Sequence, residues 1–184
     1  GKIVLFPTES VYGIGTAATE SGVDELSAIK KRRGKPFQIL IADTETLDRY
    51  CTNVTETARR LMDAFWPGPL TLVLETSGDG LPSLLAPSGA AGFRLPDHDL
   101  CRALVRRVGG AMAATSANYG GAPEARTCTE AVRSFKGRLA AAVDGGTIAN
   151  TKSSTVVSVK NGVLAVIREA AISEEDIMKA AGKK

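Results

Sequence analysis

The chemistry open to this chain is bounded first by the reactive side chains it lacks. It holds one histidine, His98, and three widely separated cysteines, Cys51, Cys101 and Cys128. A single histidine excludes a zinc site with two or more histidine ligands, and no Cys-x-x-Cys pair is present. None of the cysteines has a flanking basic or histidine environment that clearly activates it, so all three read as packing residues. His98 follows a proline at a helix start and reads as a surface or capping residue rather than a base. The reactive inventory is therefore Ser, Thr, Asn, Lys, Arg and carboxylates, with no metal site built from the chain's own ligands.

Three segments concentrate those residue types. The first, Pro7-Thr8-Glu9-Ser10-Val11-Tyr12-Gly13-Ile14-Gly15, directly follows an apolar run, where open α/β sheets present loops to ligands. Gly13 and Gly15 suit a loop that needs positive φ. Gly13-x-Gly15-x-x-Ala18 also matches a loose dinucleotide fingerprint, with Asp43 beyond the next strand. In that fingerprint the first glycine sits immediately after the strand, whereas six residues intervene here, so the match is weak.

The second segment is Lys30-Lys31-Arg32-Arg33-Gly34-Lys35, which holds five of the 23 basic residues. With 20 acidic residues elsewhere, the rest of the chain is close to neutral, and the net charge of +3 is one local feature. Cations there complement a helix C-terminus, yet five close like charges repel and call for an anionic partner. Lys30 and Arg32 would diverge by roughly 200° on a continuing helix; they converge only where the helix stops, as Gly34 and Pro36 suggest. Phosphate suits the Arg fork and the Lys point charge, and an RNA backbone is the other candidate.

The third segment, Ala113-Ala114-Thr115-Ser116-Ala117-Asn118-Tyr119-Gly120-Gly121, is a small-residue strand ending in hydroxyls, an amide and a glycine turn. Alternation places Ser116 and Asn118 on one side. Arg94, inside Gly92-Phe93-Arg94-Leu95, needs an anionic partner in an apolar strand. Arg168 ends the run Val163 to Ile167, and Ser153-Ser154-Thr155 opens a hairpin with hydroxyls.

The elements that must position these residues alternate between β-branched runs and helical periodicities. Strands are expected at Ile3 to Phe6, Gln38 to Ala42, Leu70 to Glu75, Gly92 to Leu95, Ala111 to Thr115 and Leu139 to Val143. Ser154 to Val159 and Val163 to Ile167 form a hairpin around Lys160-Asn161-Gly162. Helices are expected over Val23 to Arg33, Asn53 to Phe65 with an Asn53/Glu56 capping box, Asp99 to Val108, Thr129 to Phe135, and from Ser173 onward. Trp66-Pro67-Gly68-Pro69 stops the second of these. The chain, 184 residues with 43% hydrophobic and 23% charged, fits one domain over 1–184. The class is α/β, a twisted mixed β-sheet flanked by helices. No signal-peptide pattern or long apolar run is present, and the odd, scattered thiols argue for a reducing compartment, the cytoplasm, with no membrane partner.

Taken in order, the segments resemble the YrdC-like threonylcarbamoyl-AMP synthase family. The resemblance rests on Pro7 to Gly15, Lys30-x-Arg32 with Lys35-Pro36, Trp66-Pro67-Gly68-Pro69-Leu70-Thr71, Arg94-Leu95-Pro96-Asp97-His98, Thr115-Ser116-Ala117-Asn118, Ser154-Thr155-Val156 and Arg168. It implies a basic concave cleft, here without the family's usual N-terminal helix. It also implies the joining of L-threonine, bicarbonate and ATP into threonylcarbamoyl-AMP with release of pyrophosphate. A threonylcarbamoyl-transfer enzyme system would then act on tRNA. The resemblance assigns Lys30, Arg32, Ser116 and Asn118 to catalysis. It assigns those four with Lys35 and Arg168 to ATP, and Thr8, Arg94, Ala114 and Ser154 to threonine. Mg²⁺ would arrive with ATP, held mostly by phosphates and water. The alternative is a noncatalytic module binding double-stranded RNA or the ribosome through the same cleft. Glu169-Ala170 departs from the glycine-bearing turn usual after the late arginine, and the segment after Arg32 is one residue shorter than in the family.

Overall fold

The computed structural model describes residues 1–31, 36–78, 80–149 and 152–182. Nine strands form one mixed sheet: β1 (Val4–Phe6), β2 (Gly13–Ala17), β3 (Gln38–Ile41), β4 (Leu70–Glu75), β5 (Ala90–Arg94), β6 (Ala111–Ser116), β7 (Ala141–Ala142), β8 (Thr155–Lys160) and β9 (Val163–Arg168). Their order across the sheet is β7-β1-β2-β6-β3-β5-β4-β8-β9. The pairs β1·β7, β3·β5 and β4·β8 are parallel and the rest antiparallel. Among the described residues five α-helices flank it: α1 (Glu20–Lys30), α2 (Glu56–Phe65), α3 (Asp99–Arg107), α4 (Cys128–Ser134) and α5 (Glu174–Ala180).

The helices are divided unequally between the two faces, and this division creates the site. Val23, Leu26 and Ile29 of α1 lie on one stripe at spacings of three. They are fully buried in the main core with Leu61 of α2, Ala131 of α4 and Ile177 of α5. Ile14, Ile39, Leu72, Phe93 and Val157 meet them from the sheet. On the opposite face, among the described residues, only α3 packs, through Cys101 and Val105, against Phe6, Leu40, Met112 and Ala114. Beyond α3 that face is lined by residues alternating with the core set: Ala90, Gly92 and Arg94 of β5, Thr71 and Val73 of β4, and Val156 of β8.

Two local expectations change. The glycines of the first segment are not loop residues, because Gly13–Ala17 is a strand paired to both β1 and β6. Neither glycine has positive φ; they are needed for space. A Cβ at Gly13 would sit 2.9 Å from the Phe6 ring, and one at Gly15 would sit 2.6 Å from the Ala113 carbonyl oxygen. With β2 in place, the dinucleotide reading loses its strand-turn-helix context. The second helix begins at Glu56, capped by the Thr55 side chain on the Ala58 N–H, rather than by an Asn53/Glu56 box.

Other boundaries move less. α1 ends at Lys30, where Lys31 adopts φ 51° and closes the helix in the left-handed region. The 139–143 strand shortens to two residues. The hairpin turn holds as expected, with Asn161 at φ 50° and Gly162 at φ 74°, the mirror-image turn that matches strand twist. His98 caps α3, its Nδ1 accepting from the Cys101 N–H at 3.4 Å, and Ser173 caps α5. Among the described residues no helix is long and apolar enough to cross a membrane.

Candidate active site

The uncovered part of the sheet forms the floor of a cavity of about 960 Å³. That is near the upper end for small-molecule sites, with room for more than one ligand. Its described walls carry four cations, Lys30, Lys31, Arg94 and Arg168, against one carboxylate, Glu124. Burial raises the Glu124 pKa, and the charge of Arg168 partly offsets that rise.

In the cavity wall the last residue of α1 meets the tip of β6. Lys30 is 9% exposed. Its ammonium donates to the Ser116 carbonyl at 2.9 Å and to the Asn118 carbonyl. It also lies 5.9 Å from the centroid of the Phe135 ring, against which Tyr119 packs tilted by 38° with centroids 4.9 Å apart. Ser116 donates its hydroxyl to Asn118 Oδ1 at 2.6 Å, and Asn118 Nδ2 donates to the Ala122 carbonyl at 2.6 Å. Stopping α1 at Lys30 therefore delivers the ammonium to a loop that the Ser-x-Asn pair has already folded.

Arg94, which also lines the cavity, projects from β5 with its side chain 3% exposed. Nε donates to the Gly68 carbonyl at 3.2 Å, and Nη2 donates to Glu9 Oε1 at 2.5 Å and Ser10 Oγ at 2.9 Å. Nη1 makes no hydrogen bond among the described residues, and the side chain lines the cavity. The guanidinium is thus clamped on two edges and offers the third. Helix α2 must stop for this to happen: Trp66-Pro67-Gly68-Pro69 turns the chain so that Gly68 faces Arg94.

Thr8 is 6% exposed and does not line the cavity. Its hydroxyl donates to the Val11 carbonyl at 2.7 Å and accepts from the Ser10 and Val11 N–H groups. It also lies 3.1 Å from Ser10 Oγ. Thr8 therefore folds the loop that holds Glu9 and Ser10 against Arg94. Ala114 does line the cavity, but it pairs with Gly15 on one side and Gln38 on the other. Its backbone is committed to the sheet, and it offers a methyl group.

Ser154 Oγ lies 2.9 Å from Thr71 Oγ1, and Arg168 donates from Nη2 to the Ser154 carbonyl at 2.7 Å. Arg32 and Lys35, assigned on the sequence to ATP, lie outside the described residues. Of the remaining assigned residues, the fold brings Lys30, Ser116, Asn118, Arg94, Ala114, Ser154 and Arg168 around one cavity, and sets Thr8 behind it. Glu9, Gln38, Thr71 and Glu124 were not assigned. Glu9 and Thr71 sit inside recognisable motifs, and Gln38 is a polar residue opening an apolar strand. Nothing local distinguishes Glu124.

Burial pushes the thiols of Cys51 and Cys101 up to about 12, and that of Cys128 upward. None is an activated nucleophile at neutral pH. Among the described residues no cluster of three or more His, Cys, Asp or Glu could hold a metal ion.

The sequence and the nine-strand mixed sheet both match known proteins. The family model described as Sua5, YciO and YrdC, "Telomere recombination", matches residues 1–170. The chain belongs to that family. It is 36% identical over 181 residues to the threonylcarbamoyl-AMP synthase of Bacillus subtilis, covering 96% of this chain and 52% of that protein. The crystal structure of Pyrococcus abyssi Sua5 complexed with L-threonine superposes with a TM-score of 0.92 at 32% identity, over 99% of this chain and 54% of that one. Escherichia coli YciO, 23% identical, shares the fold with a TM-score of 0.84, over 98% of this chain and 86% of that one. The chain spans about half the length of the first two relatives.

Proposed function

We propose that this chain is the catalytic unit of a threonylcarbamoyl-AMP synthase, joining L-threonine, bicarbonate and ATP and releasing pyrophosphate. The observation that carries the proposal is that one cavity gathers two separate receptors. Lys30 with the Ser116–Asn118 loop lines it, and so do Arg94, with its unengaged Nη1, and Ser154. Its relatives, a synthase and a structure solved with L-threonine, point the same way.

In this reading Arg94 Nη1 takes the threonine carboxylate, with Glu9, Ser10 and Gly68 holding the guanidinium still. The amine attacks the carbon of bicarbonate, a C–N bond forms and water leaves, giving a carbamate. A carbamate oxygen then attacks the α-phosphorus of ATP as the bond to pyrophosphate breaks. Lys30 and Arg168, with Arg32 and Lys35, neutralise charge on the phosphates, and Ser116 and Asn118 shape the loop that receives them. Every reactant carries a carboxyl or phosphate oxygen, so cations and neutral donors suffice and no protein nucleophile is needed. Glu124 is the one carboxylate among the described lining residues. Mg²⁺, which would supply further charge neutralisation, is therefore assigned to the phosphates and water. The adenylate would pass to a transfer system acting on tRNA.

The test supplies labelled bicarbonate with ATP and Mg²⁺. Label is expected in an adenylate only when L-threonine is present, and Lys30→Ala and Arg32→Ala are each expected to lower that yield by about a hundredfold. Label incorporation without threonine, or affinity for double-stranded RNA with no incorporation at all, would overturn the proposal in favour of another activity or a binding module.

A further inference from the structure

Four side chains on the cavity floor form one chain of hydrogen bonds whose direction follows from donor chemistry. Thr71 donates its hydroxyl proton to Gln38 Oε1 at 3.1 Å. A threonine hydroxyl has a single proton. The 2.9 Å contact between Thr71 Oγ1 and Ser154 Oγ must therefore carry the proton of Ser154. A guanidinium can only donate, and Arg168 Nη2 lies 3.4 Å from Ser154 Oγ. The bonds all run one way, from Arg168 through Ser154 and Thr71 to Gln38. Ser154 commits its only hydroxyl proton within the protein and meets the cavity with lone pairs alone.

The sheet is built to allow this chain. Gln38 opens β3 and Thr71 lies on β4, with β5 between them. The register places Gly92 of β5 between Gln38 and Val73. A Cβ at Gly92 would come within 3.2 Å of Thr71 Cγ2. Its absence leaves room for the glutamine to reach across a whole strand.

We infer that Gln38, acting through Thr71, fixes Ser154 as a hydrogen-bond acceptor for the donor end of the amino-acid substrate, its amine or its hydroxyl, and not for its carboxylate. This rests on the threonine reading given above. It leaves the carboxylate to Arg94, whose Nη1 makes no hydrogen bond among the described residues. The two ends of the amino acid are then distinguished by polarity: a fixed donor at Arg94 and a fixed acceptor at Ser154. Gln38 and Thr71 are positioning residues, since they act through Ser154.

Calorimetric titration of L-threonine and of O-methyl-L-threonine into the wild-type protein, Thr71→Val, Thr71→Ser and Gln38→Met, alongside thermal unfolding of each, tests the inference. Thr71→Val and Gln38→Met release the Ser154 proton and are expected to weaken L-threonine binding about tenfold. Thr71→Ser, which keeps the hydroxyl, is expected to bind within about twofold of wild type. Where the hydroxyl is the donor, O-methylation weakens wild-type binding about tenfold and costs Thr71→Val much less. Where the amine is the donor, O-methylation weakens every protein alike, and both patterns support the inference. Unchanged L-threonine affinity in Thr71→Val and Gln38→Met, or Thr71→Ser as weak as Thr71→Val, would overturn it. Gln38→Met decides the matter alone should Thr71→Val fail to fold. No binding of L-threonine by the wild-type protein would overturn the functional reading itself, and this inference with it.

Discussion

Arg94 brings a permanent charge into a site where its side chain is 3% exposed, and Glu9, at 20%, is its counter-ion. Glu9 Oε2 is buried with no hydrogen-bond partner among the described residues, so the carboxylate depends on Arg94 for its compensation. Removing one member of such a pair costs more than the pair contributes, because the other is left uncompensated. Arg94→Ala is therefore expected to lower stability by about 3 kcal/mol, read from urea unfolding. Arg94→Lys keeps the charge but cannot reach Gly68, Glu9 and Ser10 while still presenting an edge to the cavity. Its expected signature is a threonine KM raised about a hundredfold with a smaller loss of stability, measured by pyrophosphate release. Equal losses of both would show that Arg94 serves the fold alone.

Elements in this protein are often set by what a residue lacks. β2 fits between β1 and β6 because Gly13 and Gly15 leave a channel for the Phe6 ring and the β6 backbone. Gly15→Ala places a methyl 2.6 Å from the Ala113 carbonyl oxygen, which the ladder holds in place. It is expected to destabilise by about 2–3 kcal/mol. Gly13→Ala meets a ring edge, which can tilt, and is expected to cost less. Denaturant midpoints compare the two directly. At the hairpin, Gly162 at φ 74° needs no side chain clearance but does need the left-handed conformation. Gly162→Ala is expected to cost about 1 kcal/mol, and Asn161→Gly close to nothing. A loss at Gly13 as large as that at Gly15, or none at Gly162, would contradict these accounts.

For the whole molecule, the unequal covering of the sheet ties stability to pH as well as to function. Cys101, on α3, and Cys51 are both held in the folded protein with pKa near 12 because burial disfavours the thiolate. An unfolded thiol titrates near 8.5. The folded state therefore keeps protons that the unfolded state releases, and these thiols favour folding fully below about pH 8.5. That contribution is lost as pH rises from there toward 12, by up to about 1.4 kcal/mol per pH unit for Cys101 and by less for the partly exposed Cys51. Thermal midpoints recorded against pH should fall more shallowly on the alkaline side for Cys101→Ala than for wild type, whatever the offset between them at neutral pH. Parallel alkaline limbs would remove Cys101 from the account. In the same way, alkylation at pH 8 is expected to be slow at Cys101 until the protein unfolds.

How much of this was legible without coordinates differs between the fold and the site. Periodicity exposed the buried stripe of α1, and Asn-Gly marked the hairpin, because local sterics decide both. The two prolines that end α2 and the Ser173 cap were legible for the same reason. β2 was not, since Gly-Ile-Gly-Thr-Ala has the composition of a loop and becomes a strand only through partners on both sides. The sequence by itself determined the chemical inventory: cations, hydroxyls and an amide, with no activated thiol and one histidine used as a cap. It also determined that Lys30, Ser116, Asn118 and Arg94 were worth bringing together. Only the tertiary structure decided that the Thr8 hydroxyl bonds within its own loop, that Glu9 faces Arg94 across 85 positions of chain, and that Gln38 reaches Thr71 over a glycine. The physical reason is that residue type limits what a side chain can donate or accept. Which of those capacities is already used depends on the neighbours that long-range strand pairing supplies.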